Sequence, residues 1–153
     1  MRKFVVLLIA GLAATAAAYA DTVFIVFAGI DEQLIEQNEQ VKDMIYSLES
    51  GAMDVFFDAG HIISNSGYSH VEPSDALRLG KNVAADYLFV IEANFVSKDD
   101  EYTLDSVSYS YLNVVSEKEL RSSRMTAEKL YESGDILQAC KELGAELANA
   151  CVF

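Results

Sequence analysis

Two apolar runs constrain this chain more than any other feature: TVFIVFAGI at 22–30 and DYLFVIEANFV at 86–96. The first is an unbroken β-branched and aromatic block, the pattern of a strand covered on both faces. The second is the strongest strand in the chain, and its two faces differ. Tyr87, Phe89, Ile91, Ala93 and Phe95 share one face, while Leu88, Val90, Glu92, Asn94 and Val96 share the other. Glu92 and Asn94 place the second face in solvent near the strand's end. SKDDE then forms a turn, YTLDSVSYSYLNVVS (102–116) returns antiparallel, and EKELRSSRMTA adds a shorter third strand after a turn at 116–118.

Helical periodicity fills the remainder. Asp31 is a helix cap with Glu32 favourably placed in the first turn. Leu34, Val41, Met44, Ile45, Leu48, Ala52, Val55, Phe56 and Ala59 then step by three, four or seven. They predict one long helix over 32–59, ended by Gly60 in a left-handed cap. Gly51 weakens its middle by about 1 kcal/mol, and a break there with MDVFF as a strand is the alternative. HIISN (61–65) reads as a short strand, and Pro73 with Ser74 starts a helix whose packing face is Ala76, Leu77, Gly80, Val83 and Ala84. ESGD breaks the chain before the last helix, where Asp135 and Gln138 form an approximate capping box. The order β-α-β-α-β-β-β-α predicts an α/β (α+β) fold: a mixed sheet with helices mainly on one face, in one domain over 21–153.

The first twenty residues have the form of an export signal. MRK is a short basic start, FVVLLIAGLAATAAA is apolar, and Ala18, Tyr19 and Ala20 give an A-x-A site with cleavage expected after Ala20. The competing reading is a membrane anchor, since apolar residues resume after Asp21. Asp21, the small residues at the cut and the β-branched character of the second run favour cleavage. No cysteine follows the apolar run, so lipid attachment of the bacterial lipoprotein type has no acceptor there. The expected product is soluble and periplasmic or secreted, without a stable membrane anchor.

Loss of Arg2 and Lys3 leaves nine cations against 24 acids, a net charge of −15. That surface repels phosphate backbones, which excludes nucleic acid as a partner class and disfavours anionic membranes. Export permits disulfides, yet Cys140 and Cys151 share the apolar face of DILQACKELGAELANACVF. Eleven residues of continuous helix separate them by about 16 Å, beyond the reach of a bridge. Two buried thiols are the simplest reading, with a frayed helix end or an intermolecular bond as the alternatives.

Catalytic and metal-site patterns are weak. His61 and His70 are the only imidazoles; a zinc site would need further ligands, and the two cysteines lie far away on an apolar helix face. His70 with Ser69 or Asp75 is conceivable as a catalytic pair, but GYSHV lacks the second glycine of a nucleophile elbow. KDDE (98–101) has neither the ligand spacing nor the glycine of a calcium loop. Glycine-rich phosphate loops, H-E-x-x-H and C-x-x-C motifs are absent from the sequence. No catalytic residue, cofactor or metal is therefore expected. In the strand after the turn, Val107, Tyr109 and Tyr111 share one face and Ser106, Ser108 and Ser110 the other. The tyrosines either fill the core or form part of a protein-binding surface. The core is preferred, because an inward serine row fills space poorly. The candidate contacts for a partner or ligand are Tyr68, Ser69 and His70 in the loop, with Tyr109 and Tyr111 on the strand.

The sequence of elements has a counterpart among known families. A helix leading through GHIISN, then DALRLGKNVAADYLFVIEANF, a hairpin, SEKEL at a turn and the closing DILQACKELGAELANA resemble a group of small exported α/β domains. The group comprises the curli secretion lipoprotein, the penicillin-binding-protein activator lipoprotein and the amino-terminal domain of the Tol translocation protein. Their lGadyll.g segment has the position of 83–91 here, with Ala85 in place of the usual glycine. The resemblance spans most of 22–150. It implies a non-enzymatic cell-envelope module that binds an envelope protein or self-associates. The alternative is a periplasmic small-ligand binding protein with a site at the 64–72 loop and the sheet end, and a hydrolase ranks third.

Overall fold

A computed structural model describes residues 20–67, 71–98, 101–132 and 134–152. The strands are β1 (Thr22–Phe27), β2 (Ile62–Asn65), β3 (Tyr87–Lys98), β4 (Glu101–Asn113) and β5 (Lys118–Thr126). The helices are α1 (Glu32–Gln37), α2 (Glu39–Asp58), α3 (Pro73–Asn82) and α4 (Ile136–Asn149), with a 3-10 turn at Glu128–Glu132 before the last. The strands form one sheet in the order β2-β1-β3-β4-β5. β1 pairs in parallel with β2 and β3, and β3-β4-β5 is an antiparallel meander. The mixed α/β sheet expected from the sequence is what forms.

Alternation along β1 and β3 divides the core in two. Val23, Ile25, Phe27, Phe89 and Ile91 face α1, α2 and α4, whereas Phe24, Val26, Leu88 and Val90 face α3. Three helices thus cover one face and one helix the other. On the larger side Phe56 meets Phe89 edge-on at 5.2 Å and stacks on Tyr111 at 5.9 Å. Aromatic pairs in these geometries add to simple area burial. A bulge opposite Asn94 and Phe95 leaves Asp105 unpaired with β3, so Leu104 and Val107 both reach this core.

The single helix expected over 32–59 is two helices. Asn38 lies in the extended region, and its side chain accepts the Val41 N–H at 3.0 Å to cap α2. The step of seven from Leu34 to Val41 had spanned a stretch, IEQNEQ, that contains this cap-former. Helix α2 then runs unbroken through Gly51, so the alternative strand at MDVFF does not form. Gly60 takes the left-handed conformation at φ +88°, although Ala59 before it is exposed.

The reason for Gly51 lies in the last helix. A Cβ at Gly51 would stand 1.9 Å from the Lys141 carbonyl oxygen, and one at Gly144 1.9 Å from the Leu48 carbonyl oxygen. The backbones of α2 and α4 touch through both glycines, so neither position admits a side chain. Asp135 caps α4 by accepting the Gln138 N–H at 3.1 Å. The Gln138 side chain reaches forward to Glu142 at 2.9 Å, so half of the expected capping box forms.

Helix α3 ends earlier than its apolar pattern implied, and Val83 and Ala84 are exposed. The Ala85 N–H donates to the Gly80 carbonyl at 3.0 Å and the Ala84 N–H to the Lys81 carbonyl at 3.1 Å. That is a Schellman cap, with Ala84 at its left-handed position, φ +54°. The left-handed residue is thus Ala84, which is where the glycine of the lGadyll.g pattern falls when the pattern is set on 83–91; the match to Ala85 was one place off.

Two stability outcomes follow from these backbones. Gly51→Ala or Gly144→Ala should destabilise by about 1–3 kcal/mol or more through overpacking, although alanine is worth about 1 kcal/mol in helix propensity. Ala84→Gly should raise stability by about 1 kcal/mol by relieving the left-handed strain. Urea unfolding followed by circular dichroism reads both; a stabilised Gly51→Ala would refute the close helix contact.

Candidate functional site

Helix α3 is only ten residues long, and its cover ends midway along β3. Beyond Val90 that sheet face becomes polar. Glu92 and Asn94 come from β3, Ser106, Ser108 and Ser110 from β4, and Ser122 and Arg124 from β5. The cross-strand register places Ser108 beside Glu92 on one side and Arg124 on the other, and Ser110 beside Ser122. The serine row therefore faces away from the three-helix core, as the packing argument required.

Hydrogen bonds hold this face in place. Arg124 Nη2 donates to the buried Ser106 Oγ at 2.9 Å, and Asn94 Nδ2 donates to Asp105 Oδ2 at 3.2 Å. Ser108 Oγ lies 3.5 Å from Glu92 Oε2, a long contact. An open groove of about 210 Å³ is bounded by Gly29, Glu92, Asn94, Ser106 and Arg124 at the end of β1. Its chemistry is that of hydroxyls, one guanidinium and one carboxylate, suited to polar recognition. Strand β5 beyond it is exposed at every residue except Met125, which is half-buried, and it forms one outer edge of the sheet.

The residues singled out in the sequence are dispersed. Tyr68, Ser69 and His70 lie outside the described residues. Tyr109 and Tyr111 are buried in the aromatic core, so contact with a partner through either ring would require the core to open. Burial, then the neighbouring Tyr87, raises the Tyr111 phenol far above its ordinary range; burial, then Cys151, raises Tyr109. His61 sits at the opposite sheet end, half-buried, with its ring edge-on to Phe56 at 5.9 Å and its N–H donating to the Phe56 carbonyl at 3.0 Å. Cys140 and Cys151 are free and buried, and burial pushes both thiols up to about 11. Such thiols are poor nucleophiles at neutral pH. Among the described residues no three His, Cys, Asp or Glu side chains group as metal ligands, and no helix is long and apolar enough to cross a membrane.

Sequence reading missed two acids. Asp86 Oδ2 accepts the Thr22 N–H at 2.8 Å and so fixes the start of β1. Glu49, 3% exposed on α2, accepts from Asn65 Nδ2 of β2 at 3.1 Å. Its place beside Leu48, four residues after Ile45, was the available signal. Burial is the larger influence and raises its pKa above the ordinary 4.5, while the Asn65 bond lowers it. A raised folded value means that the contribution of this carboxyl to stability is fully present below about 4.5 and is lost as pH rises through its folded pKa. Glu49→Gln should therefore gain stability over the parent at pH 8, with the gap closing towards pH 4. Paired thermal melts across that range measure it; a constant gap would refute the assignment.

No protein-family model and no curated protein matches the chain. Among solved structures it is similar to the PelC dodecamer from Paraburkholderia phytofirmans, at 16% identity over 90% of this chain and 91% of that one, with a TM-score of 0.52. It is also similar to TolB from Acinetobacter baumannii, of the Tol group that the element pattern resembles, at 13% identity and a TM-score of 0.39 over 82% of this chain and 28% of that one. Lipoprotein GNA1162 from Neisseria meningitidis gives 10% identity and a TM-score of 0.39 over 86% and 97%. The overlap with PelC shows a shared fold.

Proposed function

We propose that this chain is an exported, non-enzymatic accessory protein of the bacterial cell envelope, working by protein contact and self-assembly. The observation that carries this reading is β5, a nine-residue edge strand exposed on both faces beside an uncovered polar sheet face. An open edge of this length offers backbone donors and acceptors to another chain. The fold is that of PelC, whose solved structure is a dodecamer, which favours self-association among the kinds of contact available.

Small-ligand capture is the second reading. The Arg124–Ser106 groove supports it, since Gly29 on its rim donates to the Val71 carbonyl at 3.1 Å, joining the groove to the 64–72 loop. Two differently tagged copies, co-expressed with the native leader, separate the readings. The expected result is a periplasmic product beginning at Asp21, with each tag capturing the other. Failure of co-capture alongside a saturable small-molecule ligand would favour the second reading. Turnover in a hydrolase panel that is abolished by His70→Ala would overturn both.

A further inference from the structure

Charge and apolar exposure are segregated between the two outer edges of the sheet. Lys118, Arg121 and Arg124 place three of the nine cations of 21–153 on β5, against one acid, Glu119. Helices α1 and α2 with the Asp31 cap carry seven exposed carboxylates and one lysine, Lys42, and α2 ends at the start of β2, the opposite edge strand. Of these carboxylates, Asp54 is paired with Lys141 at 2.9 Å, while Asp58 ends the helix beside the β2 edge. Each edge also exposes large apolar residues. Val115 is 84% and Leu120 40% exposed at the start of β5; Phe57 is 71% and Ile62 57% exposed at the start of β2.

The register puts both patches at one level of the sheet. Ile62 pairs with Thr22, Val23 with Tyr87, Tyr87 with Asn113, and Asn113 with Lys118. The two edge strands also run in the same direction, because β3 and β5 are both antiparallel to β4 while β1 and β2 are parallel to β3. A second copy placed alongside without inversion therefore brings its β2 edge to β5 in the parallel sense. Two-fold pairing of β5 with itself would instead oppose like charges.

We propose that the β5 edge of one copy docks on the β2–α2 edge of the next, a head-to-tail joint. Leu120 and Val115 pack on Phe57 and Ile62, and Lys118 and Arg121 face the Asp58 end of α2. A heterologous joint closes into a ring when its rotation permits and otherwise extends. This inference rests on the self-association reading and names its surfaces.

Light scattering after gel filtration of the exported chain tests it, from about 50 mM to about 500 mM salt. The parent should assemble at low salt and dissociate as salt rises. Lys118→Glu/Arg121→Glu and Asp58→Lys should each weaken association about tenfold or more. An equimolar mixture should regain it, because each variant's altered edge then meets a complementary one. Recovery on mixing also shows that both variants are folded. Assembly of the parent that neither variant weakens would overturn this joint while leaving self-association standing. A parent that is monomeric throughout would remove both.

Discussion

The structure depends on the contact between two helix backbones. Gly51 of α2 and Gly144 of α4 each leave space only for the other helix's carbonyl. With no side chains between them, the axes approach at the near end of, or inside, the usual spacing of about 8–10 Å. Strands lie about 4.8 Å apart, so two helices so close span fewer strands than the five present. Ile25, Phe89 and Tyr111 of β1, β3 and β4 share one core with Leu48, Phe56 and Leu147 of the two helices, and Ile63 of β2 packs against it. Strand β5 is solvated on both faces except at Met125, which packs against this core. Two helices held this close leave most of β5 uncovered.

The same geometry explains what could be read from sequence. Strand β1 and the first half of β3, through Ile91, were legible because both of their faces are largely buried, which demands uninterrupted apolar residues. The tyrosine and serine faces of β4 were legible because period-two alternation commits one set to the core. Gly51 was misleading, since helix propensity counts its local cost while its use is a contact with a segment some ninety residues later. The break at Asn38 was hidden for a related reason: a stripe that advances by seven is satisfied by one helix or by two with a cap between them. Alanine carries no turn signal of its own, so the left-handed position at Ala84 was marked only by the glycine of the lGadyll.g pattern, which was set one place too late.

The candidate surface was legible only in outline. Glu92 and Asn94 marked a face that leaves the core, and that face does become the polar groove. Arg124 and the charge of β5 were overlooked because a total of −15 averages over the chain. Segregation of charge becomes apparent only when strand order places 118–126 at one edge and β2, which follows the Asp58 end of α2, at the other. The histidines drew attention through rarity, yet His61 is an aromatic neighbour of Phe56.

Asp86 gives the two edges their common level. Its carboxylate accepts the Thr22 N–H, its own N–H donates to the Thr22 carbonyl at 3.0 Å, and its carbonyl accepts the Val114 N–H at 2.9 Å. One residue thereby aligns the starts of β1 and β3 with the end of β4. The Ile62 N–H donates to the Asp21 carbonyl at 3.0 Å, which carries that alignment to β2. Lys81 of α3 pairs with Glu117 in the turn before β5, which carries it to the other edge. A slip of one residue at Asp86 would reverse the faces of β1 and move the exposed apolar residues of the edges out of line. A small acidic residue at a strand start, silent in any pattern of hydrophobicity, therefore fixes the level at which the strands of the sheet begin.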